Sequence, residues 1–282
     1  MDRRGTPSNL SANFQRLFRI RVALKEAERN ETFRIRHDVY CRELRWEPEQ
    51  PNGMETDEYD AHSVHCLMQT NDERQQCVGS LRLVLPNPHN PTGLLPVEIG
   101  CAETLDRAML NSLQLDRRRL AEVSRLAITS GFRRRKNEQN SRDVDAAEQS
   151  RFQFILVGLY LAGLAVAEKL GIESALMLTE PRLAQHLNRL GFDIRQVGGP
   201  IEHRGARIPS VLYKQKFEAQ IFRPWLRPMW QAIRTSVRED FACAGPNAIP
   251  WLTSETRLDE SDISRIPLVP ELDEDSFVEA HV

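Results

Sequence analysis

Apolar residues switch their spacing several times between positions 14 and 215. Phe14, Leu17, Phe18, Ile20 and Val22 suggest a first strand. Over 27–44 the apolar positions Phe33, Val39, Tyr40 and Leu44 recur with a partly helical period. The breakers of 47–53 and 87–93 predict loops. Residues 62–69 and 76–85 read as a strand pair, with turn chemistry at Asn71-Asp72-Glu73. A helix is expected over 103–115, and a strand over 121–129 through Val123, Leu126 and Ile128. An apolar helix follows at 150–169, closed by Gly171. Then come a short strand at 176–179, a helix opened by Pro181 and ended by Gly191, and two strands at 192–197 and 208–215.

An antiparallel meander followed by one strand–helix–strand crossover gives an α/β fold with a mixed, mostly antiparallel central sheet flanked by helices. This order assigns 13–216 to one domain, behind a loose polar leader at 1–12. Residues 217–242 read as a basic amphipathic helical extension interrupted by Pro224 and Pro228. There Trp225, Leu226, Met229, Trp230, Ile233 and Val237 alternate with Arg223, Arg227, Arg234 and Arg238. A helix packed on the domain is the preferred reading, and a membrane-surface helix is the other. The acidic, proline-bearing stretch 243–282 is expected to be disordered.

Composition narrows the function. With 282 residues and a net charge of -2, the chain lacks the basic excess of a general nucleic-acid binder. Its five cysteines include no CxxC and read as reduced thiols of a cytoplasmic protein. No apolar h-region follows the N-terminus. No stretch approaches the ~20 apolar residues of a membrane span, and the helix around 152–167, broken by Gly158 and Gly163, reads as core. His62 and His65 are three apart and would point to opposite faces of a strand, which argues against a shared metal. No nucleophile elbow or cysteine nucleophile motif is present.

Charge on the strand-like elements is the unusual feature. Arg36-x-x-Val39-Tyr40 with Trp46, Asp57-Glu58-Tyr59-Asp60, Gly79-x-x-Arg82-Leu83 and Glu122-x-Ser124-Arg125 place arginines and carboxylates where a plain sheet would be apolar. Such charges are costly unless paired. In this combination and element order, residues 14–215 resemble GNAT acyltransferases. More narrowly, they resemble acyl-homoserine lactone autoinducer synthases, N-acyl amino acid synthases, and above all the PEP-CTERM/exosortase system-associated acyltransferases. Tyr40 stands where autoinducer synthases usually carry Phe, which puts lactone-type substrates in doubt. The extension past 217 has no counterpart there.

The resemblance implies attack of an amine on an acyl thioester. Glu122 is then the candidate general base, grouped with Ser124 and Arg125. Its other reading is a structural partner of Arg82 or Arg125. Backbone N–H groups around 124–128 would stabilise the oxyanion. Arg36, Asp57, Asp60 and Arg82 read as a paired network that shapes the acceptor side, with Tyr40 and Trp46 beside it; Trp46 reads otherwise as simply packed. Gly131-Phe132-Arg133-Arg134-Arg135-Lys136 has one glycine and four successive cations. It departs from a Gly-rich coenzyme A turn and suits phosphopantetheine on an acidic acyl carrier protein; a solvated basic loop is the alternative. The expected enzyme binds no tight cofactor. It takes an acyl-carrier-protein (or acyl-CoA) thioester and a small amine or amino-acid acceptor. The rivals are a lactone synthase using S-adenosylmethionine and a non-catalytic acyl-chain binding module.

Overall fold

A computed structural model describes residues 14–133, 144–213, 223, 226–245 and 249, with the side chains of 144–151 excepted. The leader at 1–12, the span 217–222 and the tail past 249 lie outside the described residues. Eight strands form one sheet: β1 (Phe18–Val22), β2 (Ser63–Thr70), β3 (Cys77–Val84), β4 (Leu120–Ile128), β5 (Ser174–Thr179), β6 (Ile194–Gln196), β7 (Ile201–Glu202) and β8 (Ala206–Tyr213). Their order is β1-β2-β3-β4-β5-β8-β6, with β7 paired to β8. All pairings are antiparallel except β4–β5. The expected mixed sheet is therefore present. The helices are α1 (Glu26–Arg36), α2 (Pro96–Gly100), α3 (Arg107–Ser112), α4 (Val144–Lys169), α5 (Pro181–Leu190) and α6 (Arg227–Ala244).

Several boundaries move for physical reasons. Residues 14–17 are helical, and the first strand starts at Phe18. The helix expected over 27–44 stops at Arg36 and continues as a wider π turn, His37–Glu43. That wider turn carries His37, Val39, Tyr40 and Cys41 into the protein together, which one face of a 3.6-residue helix does not do. The helix expected at 103–115 shrinks to α3, opened by the Asp106 side chain accepting from Met109 N at 2.8 Å. The short α2 was not anticipated.

The sheet is covered on both faces. α4 packs between the sheet and α6, so it is apolar all round rather than amphipathic. Phe152–Lys169 is long and apolar enough to cross a membrane, yet 72% of it is buried inside the protein. The register of β3 on β4 explains Gly79. A Cβ there would stand 2.9 Å from the Ala127 carbonyl oxygen and 3.1 Å from Leu159 Cδ1. Gly79→Ala is expected to cost about 1–3 kcal/mol, read as a lower urea midpoint at unchanged m-value.

α6 closes an edge. Met229, Trp230, Ile233, Val237 and Phe241 are buried in the main core. On the same helix Asp240 accepts from Val22 N at 2.8 Å, and the Ser236 hydroxyl donates to the Ile20 carbonyl at 3.0 Å. These side chains satisfy the outer edge of β1, where an unpaired strand would otherwise offer itself to another chain. This is the packed-helix reading of the extension. Among the described residues this helix runs Arg227–Ala244.

Candidate functional site

The site grows from a change in β4. Its pairing with β5 runs only from Leu120↔Ser174 to Val123↔Met177, although β4 continues to Ile128 and β5 to Thr179. On the other side, β3 meets β4 with a register shift: Ser80 faces Ala127 and Arg82 faces Ser124, so Arg125 and Leu126 stand opposite Leu81 alone. Arg125 takes φ 51°, a left-handed conformation that a non-glycine residue adopts at a cost. The bulge bends β4 away from β5 and opens the sheet just past Glu122.

Three arginines and three carboxylates close a ring beside this opening. Arg36, at the C-terminus of α1, donates to Glu55 through Nε and grips Asp60 with both terminal nitrogens, at 2.7 and 3.1 Å. Arg82, on β3, donates to Asp57 and, at 2.9 Å, to Asp60. Arg125 reaches Glu55 at 3.2 Å and Asp57 at 2.9 Å. Each carboxylate thus bridges two arginines and each arginine bridges two carboxylates. The turn Glu58–His62 presets the acids: Asp57 accepts from Tyr59 N at 3.0 Å, and Asp60 accepts from Asp57 N at 2.8 Å. Arg36 and Arg82 are essentially fully buried. Burial alone would lower the Arg36 pKa, but Asp60 and Glu55 outweigh it and the net shift is upward. Burial would raise that of Asp60, but the two arginines hold it well below the usual carboxylate range.

His65 lies against this ring. Its Nε2 is 3.6 Å from Asp60 Oδ1 and has no hydrogen-bond partner. Burial depresses it to about 3, with Arg36 and Arg82 opposing the pull of Asp60, so it is neutral. The Phe33 ring meets His65 edge-on at 5.3 Å and lies under the Arg36 guanidinium at the same distance. Among the described residues, no group of His, Cys, Asp and Glu is placed to hold a metal.

Glu122 sits outside the ring, two residues before Ser124 on β4. Arg82 Nε donates to Ser124 Oγ at 3.2 Å. Val97 N donates to Glu122 Oε2 at 2.6 Å. Among the described residues, no arginine is ion-paired to Glu122. Burial pushes it up to about 7, against the lowering pull of Val97, Arg82, Ser124 and Arg125. The structure therefore separates acids that look alike in sequence: Asp60, held low by its arginines, and Glu122, pushed up to about 7 by burial.

Tyr40 and Trp46 form a column rather than a pocket wall. The Tyr40 hydroxyl donates to the Leu126 carbonyl at 2.8 Å, inside the bulge. Trp46 stacks on Tyr40 with ring centroids 5.9 Å apart. Arg204, at the tip of the β7–β8 hairpin, lies 5.4 Å over the Trp46 ring, and it donates to the Trp46 carbonyl at 3.0 Å and to Glu47 at 2.6 Å. The extra hydroxyl of Tyr40 is spent on the β4 backbone. Tyr40→Phe is expected to cost about 1 kcal/mol of stability, measured by chemical denaturation.

Of the four cations expected to meet a carrier, Arg133 is ion-paired to Glu43, and Arg134, Arg135 and Lys136 lie outside the described residues. Glu55, His65 and Arg204 were not singled out as site residues from the sequence. Glu55 had a usable signal: Glu55 and Asp57 are i, i+2 positions, which share one side of an extended segment.

Residues 35–142 match the family model described as an acetyltransferase (GNAT) domain. That span contains Arg36, all three ring carboxylates, Arg82 and Glu122–Arg125. No curated protein sequence matches the chain. Among solved structures, the chain is similar to the CoA-dependent acyl-homoserine lactone synthase BjaI, solved with SAM and isopentyl-CoA (20% identity, 77% of this chain and 89% of that chain covered, TM-score 0.48). It is also similar to the CoA-dependent acyl-homoserine lactone synthase MesI (21%, 76% and 95%, 0.48). A third is FeeM, an N-acyl amino acid synthase from uncultured soil microbes (16%, 74% and 96%, 0.46). The class of fold is GNAT-like: residues 35–142 carry the match to an acetyltransferase (GNAT) domain, and they lie in a mixed eight-stranded sheet flanked by helices.

Proposed function

We propose that the protein is an N-acyltransferase that moves a fatty acyl group from an acyl-carrier-protein thioester to the amino group of a small acceptor, an amino acid. The observation that carries this reading is Glu122: a buried carboxyl with pKa about 7 at the point where β4 leaves β5, in a GNAT-type domain. A base poised near the working pH is what deprotonation of an ammonium group requires. The amine proton passes to Glu122, directly or through one water, and the nitrogen lone pair attacks the thioester carbonyl carbon. The tetrahedral oxyanion meets backbone N–H groups of the bulged part of β4. The C–S bond then breaks, the sulfur takes a proton, and an amide and a free carrier thiol result.

The uncharged Val97 N–H fixes the Glu122 carboxyl without pairing it to a cation. The motif resemblance supports the N-acyl amino acid product and the exosortase-system setting. The basic run Arg133–Lys136 supports the carrier-protein donor, and a cytoplasmic enzyme fits that donor. The lactone synthase reading stays open because the Tyr40 hydroxyl turns to Leu126 instead of entering a pocket. The test is expression in a bacterial host and mass spectrometry of organic extracts beside the Glu122→Gln variant. A new amide-linked acyl species that the variant lacks establishes N-acyl transfer. A lactone with release of methylthioadenosine establishes the second reading.

A further inference from the structure

Glu98 and Arg117 form a second buried ion pair, separate from the ring. Arg117 Nη1 and Nη2 donate to the two Glu98 oxygens at 2.7 and 2.8 Å, Nη2 also reaches the Gly93 carbonyl, and both side chains are 1% exposed. The pair lies in the smaller core formed by residues such as Leu95, Val97, Leu110 and Leu120. An apolar pair of the same size would stabilise such a place as well or better, so stability alone does not account for it.

Its geometry does. Glu98 Oε2 also accepts from Leu95 N at 2.8 Å, which fixes the first turn of α2. Arg117 stands in the 3₁₀ turn directly before β4. The pair thus ties the start of α2 to the start of β4, and between those two anchors Val97 N donates to Glu122. Little regular structure spans this segment among the described residues: 85–95 is turn and loop with one isolated bridge, Asn87↔Asn90, and α2 is five residues long.

We propose that the Glu98–Arg117 pair is a positioning device for Glu122, keeping the Val97 N–H on the carboxyl and so setting where that carboxyl titrates. The proposal rests on the reading of Glu122 as the base. The groups that face Glu122 are few: Val97 N from α2, Ser124 and Arg125 from β4, Arg82 from β3, Tyr59 from the preceding 3₁₀ turn, and Cys101 after α2. Of these, Val97 N alone is held in place by the pair. A donor to the charged form favours ionisation, so freeing Val97 raises the Glu122 pKa.

The test is a direct titration of the Glu122 carboxyl by ¹³C NMR on glutamate-labelled full-length protein, the signal assigned by its loss in Glu122→Gln. Wild type is compared with the double variant Glu98→Leu/Arg117→Met, which keeps volume and removes the pair. The expected result is a folded protein whose Glu122 pKa has risen by about one unit, tenfold in proton affinity. The acid limb of kcat/KM should move by the same amount. A folded double variant with an unmoved Glu122 titration overturns the proposal and leaves the pair as packing only. If the double variant does not fold, Glu98→Gln is read by the same titration, and the same two outcomes decide. The titration uses no substrate. A shifted carboxyl in a protein that transfers no acyl group would therefore overturn the acyltransferase reading while keeping the positioning role.

Discussion

Glu122→Gln is expected to lower acyl transfer by roughly 10²–10⁴-fold, the range for loss of a positioned general base, while the protein stays folded. Glutamine keeps the shape of the side chain and an oxygen for Val97 N, so the start of α2 is not released. Single-turnover transfer from an acylated carrier protein, followed by mass, measures the loss. Stability moves in the opposite direction. The folded pKa of Glu122 is raised from its ordinary 4.5 to about 7, so between those values the native state binds more protons than the unfolded chain. Linkage then makes wild-type stability fall as pH rises through that window. Glutamine has no charge to bury, so the variant should gain on wild type from pH 5 to pH 8 in denaturant titrations. A variant that loses activity by unfolding would show the reverse.

The same shift sets the activity profile. The base works only when deprotonated, so kcat/KM should rise through a limb near pH 7 and flatten above it. A limb near 4.5 would mean that the carboxyl is not buried during turnover.

The strands and the apolar helix were legible because their signals are local: alternation in β1, turn residues between β2 and β3, Pro181 and Gly191 around α5. The charged motifs were legible as a group because arginines and carboxylates on core elements must find partners. Their pairing scheme was not. Arg36 and Asp60 are 24 residues apart and Arg125 and Glu55 are 70 apart, and only the folded sheet decides which carboxylate bridges which arginines. Only the family resemblance, not the residue pattern, set Glu122 apart from Asp57 and Asp60. The difference is the solvent and partners each one loses on folding. The π turn after Arg36 hid for another reason. Its burial follows a wider period than the helix that precedes it, so a single helical template fitted 27–44 only in part. The Glu98–Arg117 pair lies in the short helix and 3₁₀ turn that carry no periodic signal at all.

Arg36→Met tests the ring where it is most deeply buried. Methionine fills much of the volume but removes the cation that Glu55 and Asp60 share, leaving Glu55 with Arg125 and Asp60 with Arg82, and the two side chains are only 7% and 8% exposed. Breaking a buried pair by removing one partner costs about 3–5 kcal/mol, a large fraction of the stability of a domain of this kind. Arg125→Met should cost far less, because Arg125 is 26% exposed and water can reach the carboxylates it leaves. The pH dependence distinguishes charge from packing. In wild type the Asp60 pKa is lowered below its ordinary 3.8, so its contribution is present above 3.8 and is lost as pH falls toward the lower folded value. In Arg36→Met each of these acids keeps a single arginine, Arg125 for Glu55 and Arg82 for Asp60, so protonation is favoured more than in wild type and acidification relieves part of the cost. The stability gap between variant and wild type should therefore be widest at neutral pH and narrow toward pH 4, as read from denaturation midpoints across that range. A gap that stays constant with pH would assign the loss to the missing stem of Arg36 on Phe33 and not to the ring of charges.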